Sequence, residues 1–327
     1  MKHNRPNKTL RLISITIGIL FLSGLFFAAI AAAPMAKTQV PGYYRMMLGQ
    51  FEVTALADGF HDMNMELLRN APEARIRILL ERNYLDYPKV KTPVMAYLIN
   101  TSASLVLVDA GAGKAMGPSF GNVIPNMKAS GYDPAQVDAV LLTHMHLDHV
   151  SGLLNSEGKP AFPNALIYVS KAESDYWLSP SVAEKAPAEM KKYFKLAQDA
   201  AAPYISMGRW QTFDKGNLPI EGIKAVPIPG HTPGHCGYEV KSGRDSLIIV
   251  GDMVHSIIVQ AALPDVAVSF DKDQKQAIAS RKAVFKSAAR TGQLIAGMHI
   301  PFPGIGRLRA DGENTYTWVP IDFAPMP

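Results

Sequence analysis

Apolar and polar residues alternate over Phe51–Leu56, the pattern of a half-buried strand. Two short apolar runs follow, Val94–Ile99 and Leu105–Val108, separated by the polar, turn-like Asn100–Ser104. That spacing predicts a β-hairpin whose second strand ends at Asp109-Ala110-Gly111. Phe120, Val123, Ile124 and Met127 recur at helical spacing, with Pro125 interrupting them and Gly131 placed as a C-terminal cap. Asp133-Pro134-Ala135-Gln136 has the form of a helix start: Asp as cap, Pro in the first turn, Gln three residues on.

Ala139–Leu142 predicts a buried strand running directly into Thr143-His144, and residues 165–169 predict another. Residues 171–208 are polar and Ala-rich, and predict a helical insertion broken by Pro180, Pro187 and Pro203. Strands resume at Lys224–Ile228, Tyr238–Val240 and Leu247–Val250. Asp273–Arg290 predicts an amphipathic helix with Ile278, Phe285 and Ala288 on one side, and Leu294–Ala296 a last short strand. Strands interleaved with helices point to sheet layers covered by helices, with the strand order left open.

The N-terminus departs from this pattern. Lys2, Arg5, Lys8 and Arg11 precede an uncharged stretch, residues 12–33, and small residues cluster at Ala31–Ala33 and Ala33–Ala36. This predicts a secretory signal peptide over residues 1–36, hence a periplasmic or secreted protein with no membrane contact after cleavage. An uncleaved anchor is the alternative, since the uncharged stretch is long enough to span a bilayer. Residues 37–327 then form a single domain. Four of the 33 Lys and Arg lie in that basic start, leaving 29 against 28 Asp and Glu, so the net charge falls from +5 to +1. That argues against a basic nucleic-acid surface. Cys236 is the single cysteine, so no internal disulfide forms, and its strand-like context predicts a buried, inert thiol.

The strongest chemical signal is Thr143-His-Met-His-Leu-Asp-His149, which holds three of the chain's nine histidines. Neutral imidazole and carboxylate are the usual zinc ligands. His144 and His146 can converge on one ion from a loop, with Asp148 and His149 serving a second ion beside it. Other ligand candidates follow distant strands: His231 in Gly230-His-Thr-Pro-Gly-His235, Asp252 after Leu247–Val250, and His299 after Leu294–Ala296. Alone, each piece reads as a surface pair, a turn or a core histidine; together they read as one site. His61 is expected in a polar loop, His235 as support for the His231 turn, and His255 in the pocket rather than on a metal.

The order HxHxDH, His231, Asp252, His299 resembles the metallo-β-lactamase superfamily over about residues 41–325. Pro41-Gly-Tyr-Tyr-Arg-Met-Met-Leu-Gly49, Thr143–Val150, Gly230–His235 and Phe302-Pro-Gly-Ile-Gly306 look closest to its methyl parathion hydrolase group. The resemblance implies an αββα sandwich, an α/β fold with two sheets inside and helices outside. It implies two divalent metal ions, zinc in the first instance, although manganese, cobalt and iron accept the same ligands. His144, His146 and His231 would hold one ion, Asp148, His149 and His299 the other, with Asp252 bridging. Asp109 resembles the acid that orients a ligand histidine. A homodimer is implied by resemblance only.

Two adjacent ions sharing a water lower its pKa towards about 7, so the expected chemistry is hydroxide attack on an ester, lactone or phosphoester. Asp148 and Asp252 are the catalytic carboxylates, the first also orienting the nucleophile. Such chemistry requires no serine or cysteine nucleophile. Trp177 and Phe194, with Tyr193 undecided, are expected to wall an apolar pocket, and His255, Phe270 and Met116 to reach it. Bulky His255 and Phe270 favour a flat lactone or aryl ester over a crowded phosphotriester. The expectation is a lactonase or arylesterase acting on small molecules, with weak organophosphate activity. A phosphotriesterase, a β-lactamase, a glyoxalase II-like thioesterase and a non-catalytic zinc-stabilised binding protein remain as alternatives.

Overall fold

A computed structural model describes Met1 and residues 33–326, Lys215 excepted. The expected signal peptide falls almost wholly outside the described residues. The chain divides into Met1–Val40 and Pro41–Pro327, and the second unit carries every element described below.

The first sheet has seven strands in the order β1 (Tyr43–Leu48), β2 (Phe51–Asn64), β4 (Lys89–Asn100), β5 (Leu105–Val108), β6 (Ala139–Leu141), β7 (Leu166–Ser170) and β8 (Trp210–Phe213). The expected hairpin is β4–β5, and β5 to β8 run parallel. The second sheet has six strands in the order β15 (Thr315–Pro320), β14 (Ile305–Gly312), β13 (Leu294–Ala296), β11 (Asp245–Ile249), β10 (Cys236–Ser242) and β9 (Ile223–Pro227). A short pair, β3 (Leu68–Arg69) with β12 (Ala267–Val268), lies apart from both sheets.

Alternate residues of single strands build different layers. Val106 and Val108 of β5 meet Tyr238, Val240 and Leu247 of the second sheet in the core between the sheets. Leu105 and Leu107 turn outward, joining a core shared with helix α6 (Ala188–Ser206) through Phe194, Ala197, Ala201 and Tyr204. Because β5 is buried on both faces, it reads as an unbroken apolar run. On the far side, Ile248 and Ile295 pack on Phe285 and Ala288 of helix α8 (Gln274–Thr291). Helix, sheet, sheet and helix are thus four successive layers, the αββα sandwich.

Several local expectations change. Strand β2 continues to Asn64, and His61 sits within it opposite Thr92 rather than in a loop. The alternation is masked by Asp58, buried in the strand because its carboxylate accepts from the Ala112, Gly121 and Val123 amides. Pro125 does not interrupt helix α2 (Val123–Ala129), because it falls in the first turn, where the missing N–H has no partner to lose. Phe120 lies outside that helix. Pro203 lies inside α6 rather than ending it. Asp133 caps as expected, but only a single 3-10 turn follows. The insertion is three helices: α4 (Lys171–Trp177), α5 (Pro180–Lys185) and α6.

Helix α8 buries Ala277, Arg281, Phe285 and Ala288, and leaves Ile278 only half-buried. The Arg281 guanidinium donates to the carbonyls of Met253, Pro264 and Val266 at 2.9, 3.0 and 2.6 Å. It thereby anchors the turn carrying Asp252. Phe285→Ala is expected to cost about 3–5 kcal/mol. Denaturant unfolding measures this, and a cost under about 1 kcal/mol would contradict the packing of α8.

Candidate metal centre

Every expected ligand follows the C-terminal end of a strand on the same edge of the sandwich. His144 follows β6 through Leu142 and Thr143, His231 follows β9, Asp252 follows β11 and His299 follows β13. Helix α3 (Leu147–Val150) opens at His146 and carries Asp148 and His149. Two glycines shape the loops. Gly230 has φ +127°, and a Cβ there would lie 2.1 Å from the Ala277 nitrogen. Gly251 has φ +54°, and a Cβ there would lie 2.6 Å from His235 Nε2. Both turns therefore need glycine to deliver the residue that follows.

The structure brings all seven residues together as two sets. Ligand atoms of His144, His146, His231 and Asp252 lie within 4.8 Å of one another, as do those of Asp148, His149, Asp252 and His299. Asp252 belongs to both. His144, His149, His231, Asp252 and His299 are all at most 4% exposed.

The orientation of each ring is held from behind. His149 Nδ1 faces Asp109 Oδ2 at 2.7 Å, and His231 Nδ1 faces Asp271 Oδ1 at 2.9 Å. His299 Nδ1 donates to the Pro93 carbonyl at 2.8 Å. Thr143 Oγ1 donates to Asp109 Oδ2 at 2.7 Å, so it accepts from His144 Nδ1 at 3.0 Å. In the neutral rings these partners place the proton on Nδ1 of all four and leave Nε2 as the free lone pair that a metal takes. Asp109 serves both sets, from a backbone φ of +58° that non-glycine residues seldom adopt.

Those lone pairs point at one another. His146 Nδ1 lies 3.0 Å from His144 Nε2 and 2.9 Å from His231 Nε2. One proton on His146 is all the tautomers allow among these three nitrogens. His149 Nε2 lies 3.0 Å from Asp252 Oδ1, and both atoms are buried without a hydrogen-bond partner. Buried polar atoms are rarely left so. Cations satisfy the arrangement and a hydrogen-bond network does not, so the residues fit two metal ions.

Without an ion the rings divide into neutral ones and ones that hold a second proton, on Nε2. Burial lowers His144 well below the usual histidine value and His146 to about 3, so both are neutral at pH 7. Burial also opposes charge on His231, yet Asp252 and Asp271 outweigh it and raise that ring to about 9. Burial likewise opposes charge on His149, where Asp252, Asp148 and Asp109 win. Metal binding must expel such protons.

His235 does more than support its own turn. Its Nδ1 donates to the Ile228 carbonyl at 2.8 Å, and its Nε2 accepts from the Asp252 amide at 3.0 Å. His255 belongs to neither ligand set; its Nε2 lies 3.2 Å from Asp252 Oδ2, and its ring stacks on His299 at 5.0 Å. Phe270 is 43% exposed, with its ring 5.9 Å from that of His231 and 4.9 Å from that of His255.

The other pocket expectations need correction. Trp177 and Phe194 are each 1% exposed and belong to the core. Trp177 backs His146, ring to ring at 5.4 Å, and Phe194 lies behind Trp177 at 4.6 Å. Tyr193 packs on the same core. Met116 is half-buried in a separate small cluster with Val94, Ala112 and Phe120. Burial of Cys236, meanwhile, pushes its thiol up to about 12.

Glu173, Asp271 and Thr143 were missed by sequence reasoning. Glu173 and Asp271 belong to no ligand motif, and only burial reveals them. Thr143 precedes the first ligand, which is the one available signal.

The metallo-beta-lactamase superfamily profile matches residues 91–291, and the chain belongs to that superfamily. Its two ligand sets, joined through Asp252, could each hold a metal ion. An N-acyl homoserine lactonase from a Bacillus species is 24% identical over 177 residues, 48% of this chain and 62% of the relative. The chain thus spans about six-tenths of that relative's length. Hydrolase AbOPH, a solved structure of the beta lactamase superfamily, is 40% identical at a TM-score of 0.84, covering 88% of this chain and 100% of that one. AidC, described as a dizinc quorum-quenching lactonase, is 26% identical at a TM-score of 0.80, covering 87% and 99%.

Asp252→Asn is expected to strip both ions, because one bridging charge serves both sets, while His299→Ala strips one. Metal analysis after dialysis checks this. Equal retention by the two variants would contradict a shared carboxylate.

Proposed function

We propose that this protein is a dinuclear zinc hydrolase that opens lactones and cleaves small apolar or aromatic esters. One observation carries the reading: the exposed Phe270 ring packs edge-on against the buried rings of His231, a ligand, and His255. It offers an apolar surface to a flat acyl compound next to the reacting centre. The lactonases among the relatives support the same class.

Two bound ions would supply Lewis-acid polarisation of the acyl oxygen and a water acidic enough to react near neutral pH. The chain's residues supply the rest. The Asp148 side chain is 12% exposed against 3% for Asp252, so Asp148 is the carboxylate that solvent and substrate can reach. With the ions bound it would orient the attacking water. Asp252, tied by its amide to His235 and by Oδ2 to His255, keeps its geometry throughout. His255 is lowered to about 4, chiefly by burial, so it stays neutral and adds no charge to the pocket.

Comparison of kcat/KM on zinc-loaded protein for dihydrocoumarin, phenyl acetate and methyl parathion tests the assignment. The lactone and the aryl ester are expected to exceed the phosphotriester. Dominance of methyl parathion would overturn the substrate order. Two bound zinc ions without turnover of any of the three would instead favour a binding protein.

A further inference from the structure

We propose that Glu173, on helix α4 of the insertion, is the positioning residue for one half of the metal centre, the His144–His146–His231 set. The side chain is wholly buried. Its Oε1 accepts from the Met145 amide at 3.0 Å and from Trp177 Nε1 at 2.7 Å. Its Oε2 accepts from Thr232 Oγ1 at 2.7 Å and from the Gly234 amide at 2.9 Å. Four donors from three segments therefore converge on one carboxylate.

Each donor leads to the same set of ligands. Met145 lies between His144 and His146, so holding its amide fixes the loop that aims both rings. Trp177 is the indole packed against His146, and its N–H is held by the carboxylate. Thr232 follows His231, and Gly234 closes the same turn. The turn sits so close to α4 that a Cβ at Gly234 would lie 2.1 Å from the Glu173 nitrogen. By contrast, Asp109 orients His149, and the Pro93 carbonyl orients His299. The described hydrogen bonds of Glu173 reach neither residue.

A carboxylate that merely pinned the insertion down would need no such targets. Glu173 instead joins two ligand loops that are about ninety residues apart in sequence and coordinate as one set. Residues that orient metal ligands in this way change metal affinity by about 10–100-fold when replaced. The inference rests on the two-metal reading of the cluster and is independent of the substrate.

The test measures zinc retained against a graded chelator in two backgrounds. H299A leaves the His144–His146–His231 set intact, and H231A leaves the Asp148–His149–His299 set. E173Q keeps the size of the side chain but turns an amide N–H towards two of the four donors. It is expected to lower zinc affinity about 10–100-fold in the H299A chain and to leave the H231A chain unchanged. Equal loss in both backgrounds, or loss in neither, would overturn the proposal. If circular dichroism shows that E173Q does not fold, T232V removes a single donor and carries the same comparison, with a smaller shift confined to the H299A chain. Failure of the otherwise unaltered protein to bind two zinc ions would instead sink the two-metal reading itself.

Discussion

The crowding of buried imidazole and carboxylate ligand atoms at one place is the constraint from which the rest of this structure follows. Five imidazole rings and two carboxylates meet at one edge of the sandwich with almost no solvent. An uncompensated buried charge costs several kcal/mol. Zinc binding at structural protein sites is worth about 10–16 kcal/mol, enough to offset such a cluster. The sheets bring the groups together, and cations let them stay.

The surrounding residues preserve that arrangement by fixing proton positions. Asp109, Asp271, Thr143 and the Pro93 carbonyl each engage an Nδ1, which leaves the opposite nitrogen bare. His235 and Arg281 fix the backbone on either side of the Asp252 side chain, through its own amide and through the Met253 carbonyl. The insertion takes part as well, since α4 supplies Trp177 and Glu173. The helical layer is therefore part of the metal centre's support.

Much of this was legible in the sequence for a physical reason. Strands buried on both faces read as apolar runs, and a ligand-type residue just beyond such a run marks a loop at the sheet edge. His144, Asp252 and His299 follow that rule; the HxHxDH spacing marks His146, Asp148 and His149, and the Gly-rich turn after β9 marks His231. What was not legible depends on direction. Phe194 has the same spacing whether it faces a pocket or the core, and only the packing of α6 shows the latter. Glu173 and Asp271 are unremarkable acids until the fold closes over them. Arg281 falls on the apolar face of α8, one turn from Phe285, and only the structure shows the three carbonyls that take up its charge there. Polar Asp58 concealed the second half of β2 in the same way.

The most direct measurement is anomalous diffraction at the zinc edge from crystals of the zinc-loaded protein. The account predicts two peaks separated by about 3.5–4 Å. One should be ringed by His144, His146 and His231 and the other by Asp148, His149 and His299, with the Asp252 carboxylate between them. A single peak, or two peaks that do not share Asp252, would contradict it.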